Sequence, residues 1–101
     1  MLIHANNEKE FQEAIKGRKV LVDFFAVWCG PCSRMSPIIE KLSEELSDVV
    51  FVKVDVDEVP EVAAQFNVMS IPTLVYFEDG KPVRTQVGFT PEPLLRKFLG
   101  L

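Results

Sequence analysis

The chain has little with which to build a metal centre, a nucleic-acid surface or a membrane anchor. Two cysteines and one histidine in 101 residues fall short of the four ligands that a structural zinc ion generally takes. The single histidine, His4, also lies far from the cysteines in sequence. No metal site is expected. Lys and Arg number 11 against 15 Asp and Glu, for a formal charge of -4, and no basic cluster stands out. Nucleic acids and anionic membranes both call for a concentrated positive surface, so neither is an expected partner. No apolar run is long enough to span a bilayer, and Met1-Leu2-Ile3-His4-Ala5-Asn6 has neither the basic start nor the long apolar stretch of a secretory signal. The chain therefore reads as soluble, intracellular and cytoplasmic. Linkers, repeats and low-complexity segments are missing too, so residues 1–101 read as a single domain, long enough for one core.

What is present is an ordinary globular balance, 48% hydrophobic and 26% charged, which leaves no room for extensive disorder. Asn7 followed by Glu10 reads as a capping box, with Phe11, Ala14 and Ile15 on one helical face and Gly17 as the stop, which predicts a helix over about Glu8 to Lys16. Val20-Leu21-Val22-Asp23-Phe24-Phe25 is a nearly continuous run of β-formers, the pattern of a strand covered on both faces at the sheet centre. From Cys32, apolar Met35, Ile38, Ile39, Leu42 and Leu46 recur at helical spacing opposite Glu40, Lys41, Glu44 and Glu45. Pro37, inside this long helix, is expected to kink it.

Val49 to Val54 reads as another apolar strand. Pro60 opens a short helix burying Val62, Ala63 and Phe66, and Asn67 ends it. Thr73–Phe77 and Pro82–Val87 flank Asp79-Gly80, a strong hairpin signal, and Pro82 places the second strand at an edge. Thr90 is the expected cap of a last helix that tolerates Pro91 and Pro93 in its first turn and buries Leu94, Leu95, Phe98 and Leu99. The order (β)αβαβαββα predicts an α/β fold, a central mixed sheet with helices on both faces.

Cys29 and Cys32 fall where the central strand hands over to the long helix, at the carboxyl edge of the sheet, where open α/β folds place their chemistry. Residues three apart on a helix have neighbouring side chains, and a slight tightening of the turn reaches disulfide geometry. The loop that such a bridge closes is too small to staple a fold, which leaves a reactive pair or a metal-binding one. Lack of further ligands makes the metal reading the weaker. Cys29 lies at the helix N-terminus, where free N–H groups and the dipole favour a thiolate, and Cys32 lies one turn inside. Cys29 is thus expected to be the exposed, low-pKa nucleophile that forms a mixed disulfide, and Cys32 the thiol that resolves it.

Trp28-Cys29-Gly30-Pro31-Cys32 resembles the active-site signature of the thioredoxins, and the likeness extends over essentially the whole chain. The resemblance implies the thioredoxin fold, protein disulfide reduction by a Cys29–Cys32 dithiol, no cofactor, and a monomer that takes electrons from a flavin-containing thioredoxin reductase and passes them to disulfide-containing proteins. Asp23, a carboxylate in an apolar strand, is either a strand-end group touching water or a buried one whose raised pKa suits it to exchange a proton at neutral pH. It resembles the family's buried aspartate behind the dithiol, which implies proton transfer with Cys32. Lys53 resembles the lysine near that aspartate, although an isolated lysine also suits a solvated strand edge.

Ile71-Pro72-Thr73 resembles the family's cis-proline loop. Only about 5–6% of X–Pro bonds are cis, so a cis Pro72 is expected from the resemblance alone. Val87-Gly88-Phe89 resembles the third loop beside the cysteines, with Gly88 allowing another backbone to come close and Phe89 either part of the surface or an ordinary core aromatic. Together with Trp28, Met69, Ser70 and Ile71 this loop is expected to form a flat, mostly apolar docking surface for an extended peptide. Phe25 stands where many members carry a second tryptophan, and Ser33-Arg34 where lysine is frequent, which puts partner choice in doubt.

The same attack chemistry would serve an oxidase or isomerase at another redox poise. Gly30-Pro31 resembles the reducing members, whereas oxidising relatives usually have a histidine beside the second cysteine. A non-catalytic module, clamping a partner through the same surface, is the remaining alternative.

Overall fold

A computed structural model describes residues 1–101. Its elements follow in the order β1 (Leu2–His4), α1 (Glu8–Ala14), β2 (Lys19–Phe25), α2 (Gly30–Glu45), β3 (Val50–Asp55), α3 (Pro60–Gln65), β4 (Thr73–Glu78), β5 (Lys81–Val87) and α4 (Glu92–Phe98), the α/β order expected. The strands form one sheet, β1-β3-β2-β4-β5. β3 runs parallel to both β1 and β2, while β4 is antiparallel to β2 and to β5. β2 therefore sits at the centre of a mixed sheet.

Side chains alternate across a strand, and here the alternation sorts them into two cores. Val20, Val22 and Phe24 of β2 join Val52, Val54, Val75 and Phe77 on the face covered by Phe11 and Ile15 at α1 and Val62 and Ala63 of α3. Leu21 of β2, Phe51, Leu74 and Tyr76 face the other way, against Met35, Ile39 and Leu42 of α2 and Leu95 and Leu99 at α4. Phe11, fully buried, touches three rings edge-on or tilted, with centroids 6.5 Å from Phe24, 5.6 Å from Phe66 and 6.2 Å from Phe77.

Local chemistry sets most boundaries. The Glu10 N–H donates to Asn7 Oδ1 at 2.8 Å, but the reciprocal bond to the Glu10 carboxylate comes from the Asn6 N–H, one residue before the cap. α1 stops at Ala14, short of the expected Lys16, because the Lys16 N–H reaches back only as far as the Glu13 carbonyl and tightens the last turn. Gly17 serves space rather than a left-handed stop, since a Cβ there would lie 3.2 Å from Val20 Cγ2. α2 runs unbroken through Pro37 and starts at Gly30, slightly before Cys32. Asn67 does end the α3 segment with a left-handed φ of 54°. Asp79 and Gly80, with φ 52° and 81°, form the two-residue primed turn that the β4–β5 hairpin needs. β5 is an exposed edge, and its register shifts opposite Tyr76 and Phe77, next to Pro82.

Two expectations for α4 fail. Thr90 is fully buried and does not cap the helix, because its hydroxyl turns back to donate to the Gly88 carbonyl at 3.0 Å and Pro91 takes the N-cap place. Leu94 is exposed, because Leu95 and Leu99 are the residues turned inward and Leu94 lies about 100° around the helix from Leu95.

Replacing Phe11 with Ala removes the ring that joins three others, and should lower unfolding free energy by about 3–5 kcal/mol. Urea or thermal denaturation measures it, and a loss below ~1 kcal/mol would show that the aromatic cluster refills the space.

Candidate active site

β2 ends at Phe25, and the chain turns through Ala26, Val27 and Trp28 before α2 begins. Cys29 is the N-cap of α2, with Pro31 in the first turn, where a missing N–H costs nothing. Cys29 and Cys32 are joined as a disulfide, their Cα atoms 5.2 Å apart. The Cys32 N–H donates to Cys29 Sγ at 3.2 Å, so the sulfur occupies the place that a Ser or Asp side chain takes at an ordinary N-cap. Exposure does not separate the two residues as expected. Cys29 is 5% exposed and Cys32 2%, and Ile71 packs against both in a small apolar cluster with Ala26. The difference between them is one of hydrogen bonding and of position at the helix end.

The Ile71-Pro72 peptide bond is cis, and the Ile71 carbonyl oxygen lies 3.8 Å from Cys29 Sγ. Trp28, Met69, Ser70 and Ile71 line one shallow groove with Val56 and Val68. Trp28 and Met69 are among the most exposed apolar side chains of the chain, at 70% and 93%. The Gly88 N–H donates to the Pro72 carbonyl at 2.8 Å, which fastens Val87-Gly88-Phe89 beside the proline loop. Gly88 takes a φ of +92°, which favours glycine, and the space where a Cβ would stand is open, with nothing within 4 Å. Phe89 is exposed, its ring 5.5 Å from the Arg34 guanidinium, and so belongs to the surface rather than the core.

On β2, Asp23 is 1% exposed, and neither carboxylate oxygen has a hydrogen-bond partner. Burial in this apolar setting pushes its pKa up to about 6, against an attraction from Lys53 that pulls it down. Lys53 is paired with Asp23 in register across β2 and β3. It is not at a solvated edge, being 8% exposed. Its ammonium donates to Ser36 Oγ at 2.9 Å and lies 4.5 Å from the centre of the Phe25 ring.

Comparison with known proteins agrees with this geometry. The family model described as Thioredoxin matches residues 2–100. The chain belongs to the thioredoxin family. It is 50% identical over 94 residues to a thioredoxin of Alicyclobacillus acidocaldarius, covering 91% of this chain and 90% of that protein. A Staphylococcus haemolyticus thioredoxin is 45% identical over 100 residues, covering 98% and 96% of the two chains. Among solved structures, a Plasmodium falciparum thioredoxin superposes with a TM-score of 0.90 at 39% identity, covering 96% of this chain and 95% of its own. As a thioredoxin the chain is a protein-disulfide oxidoreductase, and the paired Cys29 and Cys32 are the dithiol that such exchange requires.

Two residues of this thioredoxin site left no mark in the sequence. Asp57 accepts a hydrogen bond from Trp28 Nε1 at 2.8 Å across 29 residues of chain, and is itself held by an Asx turn in which its N–H donates to Asp55 Oδ1. Ser36 is the other, and only the Lys53 ammonium reveals it. No helix of the structure is long and apolar enough to cross a membrane.

The Asp23 carboxyl makes stability depend on pH in a defined direction. With a pKa near 6 in the fold and 3.8 as the ordinary value, the folded chain keeps a proton between these limits that the unfolded chain gives up. Stability on this account is greatest below pH ~4 and falls as pH rises through ~6. The stability of Asp23→Asn relative to the parent should therefore grow by about 2.5 kcal/mol between pH 4 and pH 8. Denaturant unfolding at both values tests this; parallel pH curves would mean that Asp23 does not titrate abnormally.

Proposed function

We propose that residues 1–101 form a single thioredoxin domain that reduces protein disulfides, with Cys29 as nucleophile and Cys32 as resolving thiol. The observation that carries this reading is the Cys29 sulfur at the N-cap of α2, accepting from the Cys32 N–H. A thiolate there gains that hydrogen bond and the positive end of a 16-residue helix. In the reduced protein it attacks one sulfur of a substrate disulfide, forming a Cys29–substrate bond and releasing the other substrate sulfur as thiolate. Cys32 then gives its proton to Asp23 and attacks Cys29 Sγ, so that the second substrate thiolate leaves and the Cys29–Cys32 disulfide remains. Two electrons have passed to the substrate.

Asp23 suits the part of proton acceptor because it is buried and unpaired, with a pKa near neutrality. The groove along Trp28, Met69, Ser70, Ile71 and Pro72, with Val87, Gly88 and Phe89 beside it, is the docking site in this reading. Backbone groups of its loops would pair with an extended substrate strand, and the exposed apolar side chains would cover it. Recycling falls to a flavin-containing thioredoxin reductase, and the protein works as a cytoplasmic monomer.

Turnover of insulin disulfides with a chemical dithiol as electron source separates the two cysteines. Cys29→Ser should lose turnover altogether, whereas Cys32→Ser should stop after one event with substrate covalently held on Cys29, visible by mass spectrometry. Residual turnover by Cys29→Ser, or adducts on residue 32 in Cys29→Ser, would reverse the assignment. Trp28, the only tryptophan, adjoins Cys29 and reports the redox state by fluorescence.

A further inference from the structure

Ser36 lies one turn beyond Cys32 on α2, and residues four apart share a helix face. That face looks down on Asp23 and Lys53, which occupy the same side of the sheet as Leu21 and Phe51. The Lys53 ammonium is a strongly hydrated point charge on a flexible stem, yet the residue is almost fully covered. The Ser36 hydroxyl, 2.9 Å away, is its one hydrogen-bond acceptor in the structure. On its outer side Lys53 borders a cavity of about 150 Å³ lined also by His4 of β1, Asp55 of β3, Phe25, Val27 and Glu58. The ammonium thus has two directions open to it, inward toward the Asp23 carboxylate or outward toward Asp55 and Glu58.

We propose that the Ser36 hydroxyl is a positioning group that anchors the Lys53 ammonium on the Asp23 side of this cavity, so that Asp23 keeps the negative charge with which it takes the Cys32 proton. The proposal rests on the role given to Asp23 above. Without the hydroxyl, the ammonium keeps only the Phe25 ring as a polar contact and moves out to the two acidic groups and water. Asp23 then loses the one nearby positive charge that offsets its burial. Lys53 is the register partner of Asp23 on β3 and the one charged group that shifts it, and the cavity that Lys53 borders carries Asp55, Glu58 and His4.

Ser36→Ala is well tolerated by a helix interior, so a folding defect is not the expected confusion. The Asp23 carboxyl carbon, followed by NMR across pH in the full-length reduced protein, should titrate about one pH unit higher in Ser36→Ala than in the parent. The acid limb of the resolving step, measured as decay of the mixed disulfide, should move by the same amount. Lys53→Met should move both further, and adding Ser36→Ala to Lys53→Met should change nothing more. Ser36→Thr, which retains the hydroxyl, should restore the parent titration. An Asp23 midpoint that stays put or falls in Ser36→Ala overturns the proposal. Failure of the underlying role looks different: Asp23→Asn would then resolve at the parent rate, while the midpoint in Ser36→Ala still rises.

Discussion

Alternation along β2 is the constraint from which the rest of this molecule follows. A central strand must bury both faces, and the period of two assigns Val20, Val22 and Phe24 to one core and Leu21, Asp23 and Phe25 to the other. A carboxylate in that second series lies on the face that α2 and α4 cover. The strand that ends there also fixes where α2 starts, and so where Cys29 becomes an N-cap. Core, base and dithiol are in this sense three readings of one seven-residue strand.

The cost of this arrangement is specific. A carboxylate without hydrogen-bond partners in an apolar site disfavours its own charge, and the fold carries that penalty at neutral pH. The aromatic cluster of Phe11, Phe24, Phe66 and Phe77 on the opposite face is large enough to bear it, each ring removing about 150–250 Å² from water at full burial. Lys53 lowers the penalty without removing it, because its ammonium bonds Ser36 rather than the carboxylate. A direct ion pair would stabilise the charged form further and leave a poorer base. In the proposed mechanism fold stability and proton transfer therefore pull Asp23 in opposite directions, with Lys53 between them.

Much of the fold could be read from the sequence because its signals are local. Asp79-Gly80 needs two positive φ angles, and Asn7 needs an N–H three residues on; both requirements are met within a few residues. The continuous apolar run of β2 announced a strand covered on both sides for the same reason. Thr90 misled because a threonine before two prolines suits a cap, while its tertiary setting offered the Gly88 carbonyl instead. Leu94 misled because it adjoins Leu95 in sequence yet lies about 100° around the helix from it, and only Leu95 is buried. In the site, the spacing of Cys29 and Cys32 was legible, whereas Asp57 and Ser36 act across 29 and 17 residues on partners that only the folded sheet brings near. Nothing about a serine in mid-helix marks it out until a buried lysine is found to need an acceptor.

The cysteines show most plainly why geometry has to be added to spacing. Placing Cys29 at a helix N-terminus and Cys32 one turn inside suggested that an exposed thiol attacks and a covered one resolves, yet both residues are nearly buried, in a small cluster against which Ile71 packs. What distinguishes them is the direction of one hydrogen bond: the Cys32 N–H points at Cys29 Sγ, and no N–H points at the Cys32 sulfur. A sulfur so capped can hold charge while nearly buried, because the helix end supplies the stabilisation that water otherwise gives. The other sulfur has no such donor, and its proton must be taken by a neighbour before it can act. In the proposed mechanism the asymmetry of the dithiol is thus set by the start of α2 on one side and by Asp23 on the other, and accessibility enters only through the groove that would bring a substrate disulfide to Cys29.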